Sequence, residues 1–141
     1  MSPASGFNHK HIDFPGARDT HVSGINDLGV VVGYYDYIYM GPTHYGFRYD
    51  GANFTSINYP NADSTYLYGI NNAGKIVGAY TISGVTHGFI YDDGNYTTID
   101  FPNANVTSTK AYGINDSGKI VGEYTLSGST HGFTYDGQFG T

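Results

Sequence analysis

The fold is decided by the stretch GINDSGKIVG at residues 113–122. Its opening Gly-Ile-Asn step also begins at Gly24 and at Gly69, so the three copies start 45 and 44 residues apart. A fixed period of this length is typical of repeat architectures, in which each copy is one small supersecondary unit. The chain of 141 residues is therefore expected to form a single domain of three copies.

Two further marks keep nearly the same period. The first is an aromatic residue followed by proline, at Phe14, Tyr59 and Phe101. The second is Thr-His followed by Gly-Phe, which begins at Thr43, Thr86 and Thr130 and carries one inserted residue, Tyr45, in the first copy.

Each full copy divides into four strand-length runs separated by turn residues, here called a to d. In the middle copy these runs are expected at about 65–71, 75–82, 86–91 and 96–101. The composition of 21 Gly, 15 Tyr and 8 Phe with 13% charged residues suits short strands and tight turns, and no stretch reads as a helix. The sequence therefore predicts an all-β fold.

The start and the end of the chain do not coincide with the boundaries of the repeat. It opens with a lone strand d at residues 9–14, continues through full copies at about 20–59 and 65–101, and closes with strands a to c at 107–135, near Tyr135. The opening strand and the closing three strands together make one complete unit. We expect the two ends to complete each other's sheet, because an unpaired strand edge invites aggregation.

Four antiparallel strands per copy indicate one blade of a β-propeller. Propellers normally close with four to eight blades, so three blades per chain predict a homodimer that forms one six-bladed ring. The alternative is a β-trefoil, which also has twelve strands in three repeats and would close as a monomer.

The wording of the repeat resembles the extracellular HAF repeat of bacterial proteins. The match rests on GINDSGKIVG at residues 113–122, on the nearly identical residues 69–78, and on the His-Gly-Phe steps, where the family has His-Ala-Phe. The resemblance covers nearly the whole chain and implies a propeller-like array located outside the cell or in the periplasm of a bacterium. It implies no particular activity.

Charge and composition exclude several partners. Twelve acidic residues against six Lys and Arg leave a net charge of −6, which disfavours nucleic acid and anionic membranes. The absence of cysteine excludes disulfides and thiolate metal sites. No apolar run reaches the length of a membrane span, and residues 1–8 lack the apolar core of a signal peptide.

Catalysis usually needs one asymmetric group of side chains, so residues outside the repeat are the catalytic candidates. Arg18, Asp19 and His21 lie close together before strand a of the first copy and could supply acid–base chemistry. No nucleophile motif and no phosphate-binding loop accompany them. The case for an enzyme is therefore weak.

Repeated residues are the candidates for ligand binding. Tyrosines that could stack on a sugar or a peptide are Tyr35, Tyr37, Tyr80 and Tyr124. One histidine per copy would form a ring in a symmetric assembly, from His44, His87 and His131. Hydrogen bonding within the fold is the expected role of these histidines.

The oxygen-rich turns at 26–29 and 115–118 resemble calcium loops, but Asn72 stands where the other copies have Asp27 and Asp116. The hairpin-turn interpretation is preferred, so no metal and no cofactor is expected.

Repetition without an asymmetric site favours a non-catalytic binding or interaction module, with a glycan or a peptide as ligand and a second copy of the chain as partner. A hydrolase or lyase with its site at the propeller axis is the first alternative. A structural segment of a longer repeat protein is the second.

Overall fold

The computed structural model describes residues 9–39 and 41–140. These residues form twelve β-strands and no helix, which confirms the all-β prediction. None of the described residues belongs to a helix that could cross a membrane.

The strands form three units in chain order. The first unit contains β1 (Asp19–Ile25), β2 (Val31–Asp36), β3 (Tyr45–Tyr49) and β4 (Phe54–Ile57). The second contains β5 (Ser64–Ile70), β6 (Ile76–Ile82), β7 (Val85–Asp92) and β8 (Asn95–Ile99). The third contains β9 (Val106–Ile114), β10 (Ile120–Leu126), β11 (Ser129–Tyr135) and β12 (Phe139–Gly140).

Within each unit every strand pairs antiparallel with the next strand of the chain. A single parallel bridge between Thr86 and Ser108 joins the second unit to the third. The turn after β5 shows why the sequence folds this way locally. Asn71 accepts a backbone hydrogen bond from Gly74, and Gly74 has a φ of +86°, a conformation that glycine adopts without strain.

The units stack face to face, and side chains from two neighbouring units fill each space between them. We call the face that packs on the preceding unit the leading face, which in the second unit carries Leu67, Ile76, Tyr80 and Phe89. The opposite, trailing face of the second unit carries Val77 and Ile99.

The two interfaces between units repeat the same chemistry. On the trailing face of the first unit, Val32 and Ile57 pack on the leading face of the second. On the leading face of the third unit, Ala111, Ile120 and Phe133 pack on Val77 and Ile99. Alternation of side chains along each strand supplies both faces from one sheet.

The first strands of the three units lie directly against one another. A Cβ atom added at Gly24 would lie 3.2 Å from the Cα of Gly69, and one added at Gly69 would lie 3.2 Å from the Cα of Gly113. Four-stranded sheets that stack by their faces around a line of inner strands are propeller blades. The propeller prediction is therefore confirmed, and the β-trefoil alternative does not describe this chain.

The ends of the chain differ in detail from the expectation. The third unit does not end after strand c, because β12 pairs with β11 as the beginning of a fourth strand. Residues 9–14 form no strand within the chain, although the ring of Phe14 stacks on Tyr35 at 3.7 Å. Pairing of residues 9–14 with the last unit of another copy stays a prediction.

Candidate functional site

The first unit differs from the others at one end of the sheets, where β2 turns back into β3. Eight residues, 37–44, connect these strands, whereas two-residue turns at 83–84 and 127–128 make the same connection in the other units. Ile38 and Tyr39 in this loop are exposed, Tyr39 by 92%. The loop therefore gives one end of the first unit a surface that the repeat does not supply elsewhere.

A chain of polar contacts lies beside this loop; we call it the His44 cluster, formed by Arg18, Asp36, His44 and Tyr66. Arg18 Nη2 donates to Asp36 Oδ2 at 2.9 Å, and His44 Nε2 lies 3.6 Å from the same oxygen. The hydroxyl of Tyr66 lies 3.1 Å from His44 Nδ1. The hydrogen bond from Arg18 holds the pKa of the buried Asp36 carboxyl below its usual range.

Aromatic rings extend the His44 cluster towards the inner strands. His21 stacks on Tyr34 at 4.7 Å, and Tyr34 meets Tyr66 edge to face at 5.0 Å. Burial raises the pKa of Tyr66 and Tyr68 above the ordinary phenol value. The hydroxyls therefore stay protonated at neutral pH and can bind a ligand by hydrogen bonds, but they are poor nucleophiles.

The three catalytic candidates take different roles in the structure. Arg18 donates to Asp36 and also, at 3.1 Å, to Asp19. The His21 ring instead stacks on the ring of Tyr34. Arg18 and Asp19 thus lie together, while His21 belongs to the group of packed aromatic rings.

Sequence reasoning did not single out Asp36, Tyr34 or Tyr66 as members of a site. The signal for Asp36 is its position at the end of β2, where the other copies have Thr81 and Thr125. The repeat does not indicate that the two tyrosines meet, because they belong to different units.

His44 does not occupy the position of His87 and His131, so the three histidines of one chain do not form the expected symmetric set. His87 pairs across the strands with Tyr80, and His131 pairs with Tyr124. In the first unit Tyr45 takes this position opposite Tyr35. The longer loop before β3 therefore shifts His44 out of the repeat and into the His44 cluster, while His87 Nδ1 lies 2.7 Å from Asp100 Oδ2.

The tyrosines proposed as ligand platforms are mostly packing residues. Tyr35 and Tyr80 are buried on leading faces and stack on Phe14 and Tyr59. Tyr124 stacks on Phe101 at 3.8 Å in the equivalent place. Tyr37 follows β2 in the long loop and lines an open apolar hollow of about 460 Å³ with Gly16, Ile38 and Tyr39.

A second concave surface lies between the first and second units. This cleft has a volume of about 260 Å³, and His44, Tyr59, Asn61 and Asp63 are among its lining residues. It places His44 next to the segment that connects the two units. The hollow and the cleft together make this end of the first unit the best candidate for ligand binding.

The Asn-x-x-Gly turns lie at the opposite end and use their oxygens within the fold. Asn26 Nδ2 donates to the carbonyl oxygen of Asn71, and Asn71 Nδ2 donates to that of Asn115. Asn72 Nδ2 donates to both Asp27 Oδ2 and Asp116 Oδ2, at 2.7 and 2.8 Å. Across residues 9–39 and 41–140 no group of three acidic or histidine side chains is placed to hold a metal ion.

Replacing Asn72 by aspartate should destabilise the chain by about 1 kcal/mol at neutral pH, because two hydrogen bonds to carboxylates are replaced by repulsion from them. The cost should shrink in 1 M salt, which screens exposed charges. Urea unfolding at low and high salt measures this. Asn72→Ala is the matched control, since it removes the amide without adding charge, and an equal salt response in both variants would contradict the prediction.

Replacing Arg18 by methionine should lower stability at pH 7 more than at pH 3. Because the pKa of Asp36 is lowered in the folded chain, the stabilisation from this pair is present above the ordinary carboxyl value of about 4 and is lost as the pH falls through the lowered value. Urea unfolding at both pH values tests this. In an Asp36→Asn background, where Asp19 and His44 remain, the Arg18→Met effect should depend little on pH; a strong dependence there would assign the titration to another group.

Comparisons with known proteins support the fold. No known family's sequence profile matches the chain, and no curated protein matches it. Among solved structures it resembles the β-propeller domain of the Trilobed protease from Pyrococcus furiosus, which is described as having an open velcro topology. The TM-score is 0.65 at 16% identity, over 94% of this chain and 39% of that one. The chain thus spans well under half of that chain and shares its fold: it is a β-propeller chain.

Proposed function

We propose that this chain is a non-catalytic binding or interaction module that uses the exposed end of its first unit. The observation that carries the proposal is the loop at residues 37–44, which breaks the repeat and exposes Ile38 and Tyr39. Exposed aromatic and apolar side chains beside a hollow are typical of ligand-binding surfaces.

The His44 cluster supports the same surface. Asp36 is buried and held by Arg18, so His44 has a fixed neighbour on one side and the Tyr66 hydroxyl on the other. A site held by packing and hydrogen bonds loses little entropy when it binds a ligand. Tyrosine rings and their hydroxyl groups suit a glycan or a polar peptide.

A glycan array and a peptide-display screen with the whole chain test this proposal. A binder found in either screen should lose at least about tenfold in affinity with Tyr39→Ala, since truncation of a central aromatic contact commonly costs more than 1 kcal/mol. Leu28→Ala is the matched control, because Leu28 is also exposed but lies in the turn after β1, at the opposite end. Two blank screens together with hydrolytic turnover would overturn the proposal.

The rival proposal is a hydrolase or lyase with its site at the axis. Its support is the hydrogen-bonded pair of Arg18 and Asp19 together with His21, whose ring stacks on a tyrosine. Any activity found in a substrate screen should then be lost in His21→Ala. Full activity in that variant would remove this proposal.

The resemblance to HAF repeats supports a location outside the cell or in the periplasm of a bacterium. The second rival, a structural segment of a longer repeat protein, is distinguished by the length of the natural reading frame. Neither location nor length changes the test of the surface at residues 37–44.

A further inference from the structure

The two outermost faces of the chain leave apolar residues exposed at positions that are buried elsewhere in the repeat. On the leading face of the first unit, Val22 is 53% exposed, whereas Leu67 and Ala111 at the same position are 0% exposed. On the trailing face of the third unit, Val121 is 51% exposed, whereas the equivalent Val32 and Val77 are 0% exposed.

These two faces are the two halves of one interface. Within the chain a trailing face with Val32 packs on a leading face with Leu67, and the next pair of units repeats this contact with Val77 and Ala111. The exposed trailing face of the third unit therefore fits an exposed leading face like that of the first unit. A chain that has both faces, one at each end, is complementary to a second copy of itself.

The polar contacts between units continue in the same direction. Asn26 donates to Asn71, and Asn71 donates to Asn115, each through its side-chain amide. The side-chain amide of Asn115 is the next donor in this series. Its acceptor would be the carbonyl oxygen of Asn26 in a first unit packed on the third unit. A second copy would present that carbonyl on its own first unit.

The start of the chain matches this arrangement as well. Phe14 stacks on Tyr35 and its amide donates to Thr20, just as Tyr59 stacks on Tyr80 and donates to Thr65. In the later copies this place is taken by Tyr59 and Phe101, which lie two residues beyond the ends of the preceding fourth strands β4 and β8. The residues just before Phe14 are thus positioned to extend the fourth strand that β12 begins in the third unit of another copy.

We propose that two copies of this chain associate head to tail through these faces and close one six-bladed ring. A propeller closes with about four to eight blades, and six is the only multiple of three in that range. Contacts between different faces close into a ring when the rotation fits, and two copies then form two identical junctions. The exchange of residues 9–14 that the sequence predicts would take place at each junction, where these residues complete a sheet of the other copy.

Light scattering on the unmodified chain should return twice the chain mass of 15.2 kDa. Val22→Glu and Val121→Arg should each return the mass of one chain, because each places an unpaired charge in both junctions. Leu28→Arg is the matched control, since it adds charge at an exposed apolar residue away from both faces, and it should keep the doubled mass. Circular dichroism should show the same strand signal in every variant.

Mixing Val22→Glu with Val121→Arg should restore the doubled mass. A head-to-tail pair made from one copy of each variant has one native junction and one junction that pairs glutamate with arginine. A dimer that joined identical faces could not be rescued in this way. Failure of the mixture to associate would therefore overturn the head-to-tail arrangement.

The junction also predicts a variant that strengthens association. Between units Asn72 separates Asp27 from Asp116, but at the junction Asp116 of one copy would meet Asp27 of the other directly. Asp27→Asn should therefore tighten the dimer about two- to fivefold, measured by dilution in analytical ultracentrifugation. A single-chain mass for the unmodified protein, a mass other than twice the chain, or looser association of Asp27→Asn would each overturn the proposal.

Discussion

Replacing Gly78 by alanine is expected to cost the chain more than about 3 kcal/mol of stability. Gly78 lies in β6, and a Cβ atom added there would overlap the carbonyl oxygen of Tyr66 and lie 3.1 Å from the Cα of Leu67. Overpacking costs about 1–3 kcal/mol when side chains can move, and here the atoms in the way are backbone. The strands β5 and β6 would have to separate at the centre of the second unit.

Urea unfolding followed by circular dichroism measures this loss. Gly132→Ala is the matched control, because the nearest atom to its added Cβ is the carbonyl oxygen of Gly122 at 3.8 Å. That variant should change stability by less than about 1 kcal/mol. Equal losses in the two variants would show that the close approach of the strands is not the cause.

Replacing Phe89 by alanine is expected to cost about 3–5 kcal/mol, the usual range for a fully buried aromatic residue. Phe89 is buried on the leading face of the second unit, and its ring lies 5.6 Å from that of Tyr59 and 5.9 Å from that of Tyr80. Phe89 therefore packs β7 against β6 and against the segment that connects the first unit to the second. A loss of this size is a large part of the 5–15 kcal/mol typical of a domain.

The midpoint of urea unfolding should fall in Phe89→Ala and recover in large part in Phe89→Leu, which refills most of the cavity. Tyr39→Ala serves as the control, since the Tyr39 side chain is almost fully exposed and its loss should change stability by no more than about 0.5 kcal/mol. If Phe89→Leu were as unstable as Phe89→Ala, the cavity would not be the source of the loss.

Much of the fold could be predicted because its signals are local. The turn after β5 needs Asn71 to cap it and Gly74 for a positive φ, and both residues stand in the motif itself. Alternation places Phe89 and Tyr91 on one face of β7 without any knowledge of what covers that face. The four-stranded unit follows from such steps, repeated at a fixed spacing, whereas the choice of a propeller over a β-trefoil rested on the resemblance to HAF repeats.

The candidate site was harder to predict because its contacts cross from one unit to another. Tyr35 and Tyr80 were candidates for stacking on a ligand, but rings from the preceding segment cover them. Tyr66 reaches His44 across the interface between the first two units. A sequence pattern within one copy carries no information about which residues of the next copy will lie opposite.

The sequence by itself determined the repeat, the strand order and the turns, because the repeat is read directly from motifs 45 and 44 residues apart and each strand or turn depends on residues that are close together in the chain. Only the tertiary structure decided that Tyr45 rather than His44 takes the place of His87, since the loop before β3 absorbs the extra length while β3 itself keeps its register by pairing with β2. It also decided that Val22 and Val121 are exposed while their counterparts are buried. Burial depends on the presence of a neighbouring unit, and among the described residues of one copy the first and last units each pack against another unit on one side.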